Sequence, residues 1–107
     1  MANQELAEIE KERHEVERGH ILRYLCLIGM KAATPRLVRE FLYRRGYATS
    51  REGMEFHLNY LSEKGLVELE VQPGTIDAPQ KIVAVKITPG GIDLLDGRKT
   101  GDSGVRF

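Results

Sequence analysis

The stretch HLNYLSEKGLVELEVQ, residues 57–72, changes its hydrophobic period at Gly65. Before the glycine, apolar residues recur three and four positions apart, which is the spacing of a helix packed on a core. After it they alternate with polar residues, as in a half-buried strand. A glycine at such a change of period is typical of a helix that ends in a left-handed turn. The sequence therefore predicts a helix and a strand joined almost without a loop.

The chain of 107 residues has the size of one domain with one core. Its 41% apolar and 30% charged residues are those of an ordinary soluble protein. The longest apolar run, LCLIGM, is too short to span a membrane, and there is no signal-peptide pattern. We therefore expect a cytoplasmic protein with no membrane association.

Residues 1–18 read as an acidic helix with few apolar positions, Leu6, Ile9 and Val16. Either a solvated helical extension or a dimerisation arm with a short coiled-coil seam fits this pattern. The next ten residues tighten into a core-facing pattern that contains Cys26, which we expect to be buried as a small hydrophobe.

Two further helices are predicted from their caps and apolar stripes. Thr34, Pro35 and Gly46 mark the start and end of the second helix, and Thr49 with Glu52 has the spacing of a capping box at the start of the third. The buried positions are expected to be Leu37, Val38, Phe41 and Leu42 in the second helix and Met54, Leu58 and Leu61 in the third.

A hairpin and a short last helix follow. The first strand offers alternate apolar residues to one side, and the second strand is expected to do the same. Thr88 and Pro89 have the positions of a cap and first residue for a helix that ends at Gly97. The strand residues expected to face the core are Val67, Leu69, Val71, Val83, Val85 and Ile87.

The order of these elements resembles the winged helix-turn-helix, an α+β fold with a three-helix core, a two-stranded β-hairpin wing and a short C-terminal helix. HLNYLSEKGLVELE is similar to the junction between recognition helix and wing in arsenic-repressor and MarR regulators, and ITPGGIDLLDG to small winged-helix proteins of Mu-like phages and prophages. The resemblance covers a winged-helix domain at 20–96 and implies transcriptional regulation through duplex DNA. Residues 1–19 are expected to form an N-terminal helical extension, and the polar, glycine-rich residues 97–107 a flexible C-terminal tail. Many such regulators are homodimers on palindromic sites.

Charge is segregated along the chain although its sum is zero. Residues 19–51 carry seven bases and one acid, a net charge of +6, while residues 52–72 carry one base and five acids, a net charge of −4. Arg51 and Asn59 on the third helix have the chemistry to read guanine and adenine edges. The candidate contacts to the DNA backbone are Arg36, Arg39, Arg44, Arg45, Lys81 and Lys86.

A protein-interaction module is the alternative function. A helix turns by about 100° per residue, so the outer line of the third helix carries acids and an exposed aromatic side chain. Exposed aromatics ringed by polar groups are typical of interface centres, and the partner would be another protein or a second copy. The candidate residues are Glu52, Phe56, Tyr60 and Glu63.

An enzyme or metalloprotein is not expected. His14, His20 and His57 lack the four-residue helical spacing of a metal pair, and there is no cysteine pair. His57 lies beside the buried stripe of the third helix, where a hydrogen-bonded structural imidazole is expected. We predict no catalytic residue, cofactor or metal.

Overall fold

The computed structural model describes residues 2–29, 31–97 and 104–107. These residues contain four helices and one antiparallel hairpin. The elements are α1 (Ala2–Leu27), α2 (Pro35–Arg44), α3 (Arg51–Glu63), β1 (Val67–Gln72), β2 (Lys81–Ile87) and α4 (Pro89–Leu95). The predicted α+β class is confirmed, and a hairpin that follows three helices and precedes a fourth is compatible with a winged helix. Within these residues no helix combines the length and apolarity of a membrane span.

Helix α1 joins the predicted extension and the first core helix in one element. It passes position 19 without a break and ends before Gly29, whose φ is +75°. Ile21 and Leu25 are fully buried in its second half, whereas Leu6 and Ile9 in the first half are 59% and 61% exposed. One end of α1 is therefore a core helix and the other lies in solvent.

Cys26 is exposed, so its predicted burial is wrong. The buried face of α1 runs through Ile21, Leu22 and Leu25. Cys26 follows Leu25 by one residue, a rotation of about 100° that carries its thiol away from the core. An apolar run in the sequence did not show which side of the helix the core would cover.

Helix α2 begins and ends as predicted. Thr34 has an extended backbone and its hydroxyl accepts a hydrogen bond from the Leu37 amide, while Pro35 occupies the first turn. At the other end Gly46 has a φ of +91°. The Tyr47 amide donates to the Leu42 carbonyl, which closes the helix in a Schellman turn.

The buried face of α2 is narrower than predicted. Val38 and Leu42 are fully buried and Phe41 is half-buried against the ring of Tyr24, with the ring centres 4.8 Å apart. Leu37 is 46% exposed, which contradicts its predicted burial. Leu37 precedes Val38 by one residue, so it lies about 100° away from the line that faces the core.

Helix α3 is capped by Ser50 and not by Thr49. The Ser50 hydroxyl accepts from the Gly53 amide at 3.0 Å, which satisfies a donor that the first turn leaves free. Thr49 lies one residue too early for this bond, and its buried hydroxyl has no hydrogen-bond partner among the described residues. The predicted burial of Met54, Leu58 and Leu61 is confirmed.

The change of period at Gly65 marks the junction that the sequence predicted. Gly65 has a φ of +74°, and the Leu66 amide donates to the Leu61 carbonyl at 2.9 Å in a second Schellman turn. β1 starts two residues after the glycine, with Val67 buried and Glu68 exposed. The angle between α3 and the hairpin is thus set by a single closed turn.

A β-bulge changes which residues of β2 face the core. Val85 and Ile87 are buried as predicted, but the register shifts just before Val71, which pairs with Ile82. Val83 is left as the extra residue, and Ile82 packs against the core in its place. The predicted position of Val83 on the core side is therefore wrong, because strict alternation does not survive a bulge.

The chain beyond α4 returns to α1. Val105 is buried, the Arg106 amide donates to the Glu15 carbonyl, and the Arg106 guanidinium pairs with Glu12 at 2.7 Å and Glu15 at 3.1 Å. The Arg106 carbonyl lies where a Cβ on Gly19 would be, so the contact needs glycine there. We call residues 104–107 the C-terminal strap; they are the described end of the segment predicted as a flexible tail at 97–107, whose residues 98–103 lie outside the described residues.

Thr88 joins the end of α3 to the start of α4. Its hydroxyl donates to the Gly65 carbonyl at 2.6 Å and accepts from the Gly91 amide at 3.1 Å. We expect Thr88→Val to lower the free energy of unfolding by about 1–2 kcal/mol, because it removes both a helix cap and a hydrogen bond. Urea unfolding should show this loss, and Thr88→Ser, which keeps the hydroxyl, should unfold close to the parent; equal loss in both variants would contradict the hydroxyl's role.

Candidate nucleic-acid interface

A groove of about 770 Å³ lies between α2, the first turns of α3 and the hairpin. Among its lining residues four carry positive charge and one, Glu55, carries negative charge. The groove therefore has a strong excess of hydrogen-bond donors with positive charge, which is the chemistry that phosphate oxygens require. The four bases are Arg36, Arg39, Arg51 and Lys81, and we call this surface the basic groove.

The four bases are held in different ways. The Arg36 side chain is 86% exposed and pairs with Glu40 at 3.5 Å. Arg39 is half-buried, and its Nε donates to the Thr49 carbonyl at 3.1 Å, which ties α2 to the turn before α3. Arg51 and Lys81 are exposed at the first residues of α3 and β2. Arg39 is thus partly structural, whereas the other three are accessible to a ligand.

A neighbouring depression of about 580 Å³ extends the basic groove along α2. Arg36 and Arg39 line both hollows, and Arg44 and Tyr43 are added in the second. Glu40 is the one acid among the residues that line it. Five of the eight residues predicted to contact DNA therefore share one continuous surface.

Three predicted DNA contacts lie outside this surface. Arg45 lines a separate cavity with Arg23, and its guanidinium stacks on Phe41 at 4.9 Å from the ring centre. Asn59 is exposed on α3 but lines neither hollow. Lys86 is half-buried on β2, opposite Glu68.

The alternative interface on α3 contains an exposed aromatic ring that also contacts α1. Phe56 is 57% exposed, yet its ring centre lies 6.2 Å from that of His14 and 5.4 Å from the Arg18 guanidinium. Glu52 and Glu63, on the same helix, are exposed, and Tyr60 is half-buried with the Arg18 guanidinium 3.9 Å from its ring centre. Phe56 therefore packs partly on α1 and still leaves more than half of its side chain exposed to a partner.

Behind Phe56 lies a buried polar network that sequence reasoning missed. His57 Nε2 lies 2.6 Å from a Glu17 carboxylate oxygen, and Arg18 Nε donates to His57 Nδ1 at 3.1 Å. An arginine is always a donor, so Nδ1 must accept and Nε2 must carry the proton that it donates to Glu17. The sequence did place a hydrogen-bonded imidazole at His57, but Glu17 and Arg18 looked like solvated positions of an acidic helix.

The same network brings together one possible metal-ligand atom from each of His14, Glu17 and His57, and these atoms all lie within 4.8 Å of one another. A metal ion at this point would need a lone pair on His57 Nε2. That atom carries the proton because Nδ1 already accepts from Arg18, so a metal could bind only after Arg18 had moved. The arrangement is better suited to hydrogen bonding between α1 and α3 than to metal binding.

Burial would raise the pKa of Glu17, but the hydrogen bond from His57, together with the charge and hydrogen bond of Arg13, outweighs it and leaves the pKa below its usual value of 4.5. The Arg13 Nε contacts the same carboxyl group at 3.2 Å. Glu17 is thus held as a carboxylate in a protein interior, where a buried charge needs such partners.

No family model matches the sequence, and no curated protein matches it. The basic groove and the buried network of Glu17, Arg18 and His57, which we call the Glu17 network, are therefore assessed by their chemistry. The groove offers exposed guanidinium and ammonium groups that suit a polyanion. The network offers no exposed donor set of that kind, and its contacts join α1 to α3.

The low pKa of Glu17 makes the stability of the fold depend on pH. Because the folded pKa lies below the unfolded value near 4.5, the stabilisation is fully present above that pH and is lost as the pH falls through the folded value. We expect the parent protein to lose stability in this acidic window and Glu17→Gln, less stable at neutral pH, to lose less there. Urea unfolding from about pH 7 to pH 3 measures this, with the exposed Glu10→Gln as control; parallel pH curves for all three proteins would contradict it.

Proposed function

We propose that this chain is a winged-helix protein that binds duplex DNA through the basic groove. The observation that carries the proposal is that Arg36, Arg39, Arg51 and Lys81, from two helices and the hairpin, line one groove. Bases from three separate elements converge there although the whole chain has no net charge. If these bases were merely solvated surface residues, there would be no reason for them to line the same groove.

The arrangement of elements supports the winged-helix part of the proposal. Helix α3 presents exposed residues beside a hairpin, and the turn at Gly65 holds the two at a defined angle. In winged-helix proteins that resemble this sequence, the third helix enters the major groove and the hairpin contacts the backbone. The hairpin would then be the wing and α3 the recognition helix.

The proposed contacts divide by chemistry. Arg36, Arg39 and Arg44 on α2 and Lys81 on the hairpin would neutralise phosphates and set the register of the protein on the duplex. Arg51 at the start of α3 would reach a guanine edge, and Asn59 an adenine edge farther along the helix. Asn59 lies outside the basic groove but is exposed on α3, whereas Arg45 lines the separate cavity with Arg23 and Lys86 is half-buried opposite Glu68, so these two are left out of the proposal.

Acidic side chains beside the groove limit how the duplex can lie. Glu55 lines the groove and Glu52 is exposed on the first turn of α3. A phosphate near either carboxylate would be repelled, so the backbone must follow the arginines of α2. The proposed complex therefore depends on a few bases and should be sensitive to salt.

The biological role that we propose is transcriptional regulation of a phage or prophage type. It is supported by the resemblance of the ITPGGIDLLDG segment to small winged-helix proteins of Mu-like phages. A homodimer on a palindromic site fits the same role. The exposed Leu6 and Ile9 of α1 are the residues available for such a dimer.

Fluorescence anisotropy of a labelled random-sequence duplex tests the proposal. We expect binding at low salt that weakens steeply as salt rises, because each phosphate contact releases a counterion. The double variant Arg36→Gln, Lys81→Gln removes two such contacts, so the slope of log affinity against log salt should become shallower by roughly 1.8. Both side chains are exposed, and an exposed pair such as Arg36 with Glu40 contributes little to stability.

The control for this experiment is Lys11→Gln, which removes an exposed charge from α1, away from the groove. It should bind DNA as the parent does. Equal weakening in the control and the double variant would assign the binding to overall charge. Absence of binding by the parent at low salt would overturn the proposal.

A protein-interaction module is the second candidate, and the exposure of Phe56 favours it. We expect Phe56→Ala to fold, because 57% of the side chain is exposed, and to lose self-association if α3 is a homodimer interface. Sedimentation equilibrium of the parent and the variant measures this, with thermal unfolding as the check on folding. A parent that is monomeric at high concentration would contradict the homodimer, and a variant that unfolds would show that Phe56 is a core residue.

A further inference from the structure

A second cavity, of about 440 Å³, lies between α1, α2, α4 and the C-terminal strap. Among the described residues it shares no lining residue with the basic groove. Its size falls in the range of pockets that hold small organic molecules. We call it the α1–α2 pocket; it is lined by His20, Arg23, Cys26, Leu27, Phe41, Arg45, Leu95 and Phe107.

The lining of the α1–α2 pocket has an apolar part and a cationic part. Leu27, Leu95 and the rings of Phe41 and Phe107 provide apolar surface. The Arg45 guanidinium lies 4.9 Å from the Phe41 ring centre and that of Arg23 lies 5.7 Å from the Phe107 ring centre. The two guanidinium groups therefore meet the apolar surface at its aromatic rings, where a ligand could touch both.

The described lining residues of the pocket include two arginines and no acidic side chain. Across the described residues neither Arg23 nor Arg45 has a carboxylate partner within ion-pair distance. Burial, and then the charges of Arg45 and Arg23, lower the pKa of His20.

We propose that the α1–α2 pocket binds a small organic anion with an apolar body, such as an aromatic carboxylate. The carboxylate would pair with Arg23 and Arg45, and the ring would cover Phe41 and Leu95. An inorganic anion would leave the apolar part in water, and a neutral apolar molecule would bury the two charges without a partner. This site is separate from the proposed DNA surface and does not depend on it.

Cys26 reports on occupancy of the pocket, because it lines the pocket and is the one cysteine in the sequence. The probe is 2-naphthoate, with neutral 2-naphthamide as the matched control molecule. We expect naphthoate to slow alkylation of Cys26 by N-ethylmaleimide in a saturable manner, with half-protection at about 1 mM or below. Naphthamide should protect at least tenfold more weakly, since it lacks the charge that the arginines bind.

The variant Arg45→Gln should need about tenfold more naphthoate for the same protection, because a charge-assisted hydrogen bond is lost. Lys31→Gln removes an exposed charge outside the pocket and should protect as the parent does. Thermal unfolding of each variant checks that the fold is retained, and Arg23→Gln provides a second variant if Arg45→Gln unfolds. No protection by naphthoate, or equal protection by naphthamide, would overturn the proposal.

Discussion

The hydrogen bond that the Thr88 hydroxyl donates to the Gly65 carbonyl links α3, the hairpin and α4. Gly65 itself ends α3 in a left-handed conformation, so the strand can start two residues later. Thr88 ends the hairpin and caps α4 with the same hydroxyl. The turn at Gly65, the end of β2 and the start of α4 are therefore joined by the two hydrogen bonds of Thr88. These bonds help to fix the direction of α3 relative to the hairpin. The basic groove lies where the start of α3 comes close to the start of β2.

Helix α2 separates two surfaces with different chemistry. Arg36, Arg39 and Arg44 point to hollows that suit a polyanion, and Phe41 and Arg45 line a smaller, half-apolar pocket against α1. Only Val38 and Leu42 are fully committed to the core, so most of the helix surface remains available for ligands. A short helix with a narrow buried face can thus serve both surfaces. This follows from 3.6 residues per turn, which sends adjacent arginines such as Arg44 and Arg45 to different sides.

Much of the fold could be predicted because its signals are local. Caps such as Thr34 and Thr88, and the glycines that end helices, act on their own neighbours in sequence and were recognised there. The errors have non-local or fine geometric causes. The cap of α3 is Ser50, one residue after the predicted Thr49. In β2 a bulge places Ile82, and not Val83, on the core side. Those differences depend on how the chain meets its partners, which spacing alone does not contain.

The candidate site was predictable in composition but not in arrangement. Charge counting identified the arginines of α2 and Lys81, yet only the fold shows that Arg45 and Lys86 lie away from the group. The Glu17 network was not predictable because Glu17 and His57 are 40 residues apart and Glu17 lies in a strongly acidic helix. Burial decides the role of such a side chain, and burial is a property of the packed chain.

The C-terminal strap makes the α1–α2 pocket conditional. Arg106 bonds to Glu12 and Glu15, which lie 94 and 91 positions earlier in the chain, so the strap is held to α1 by contacts across the folded domain. Contacts at the end of a segment open at lower free energy than the core, and Phe107 leaves the pocket whenever the strap opens. A molecule that touches Phe107 is then a ligand of the closed form alone. By mass action, a higher concentration of such a ligand would lower the fraction of molecules in which the strap is open. Occupancy of the pocket would then slow hydrogen exchange at the Arg106 amide, which donates to the Glu15 carbonyl.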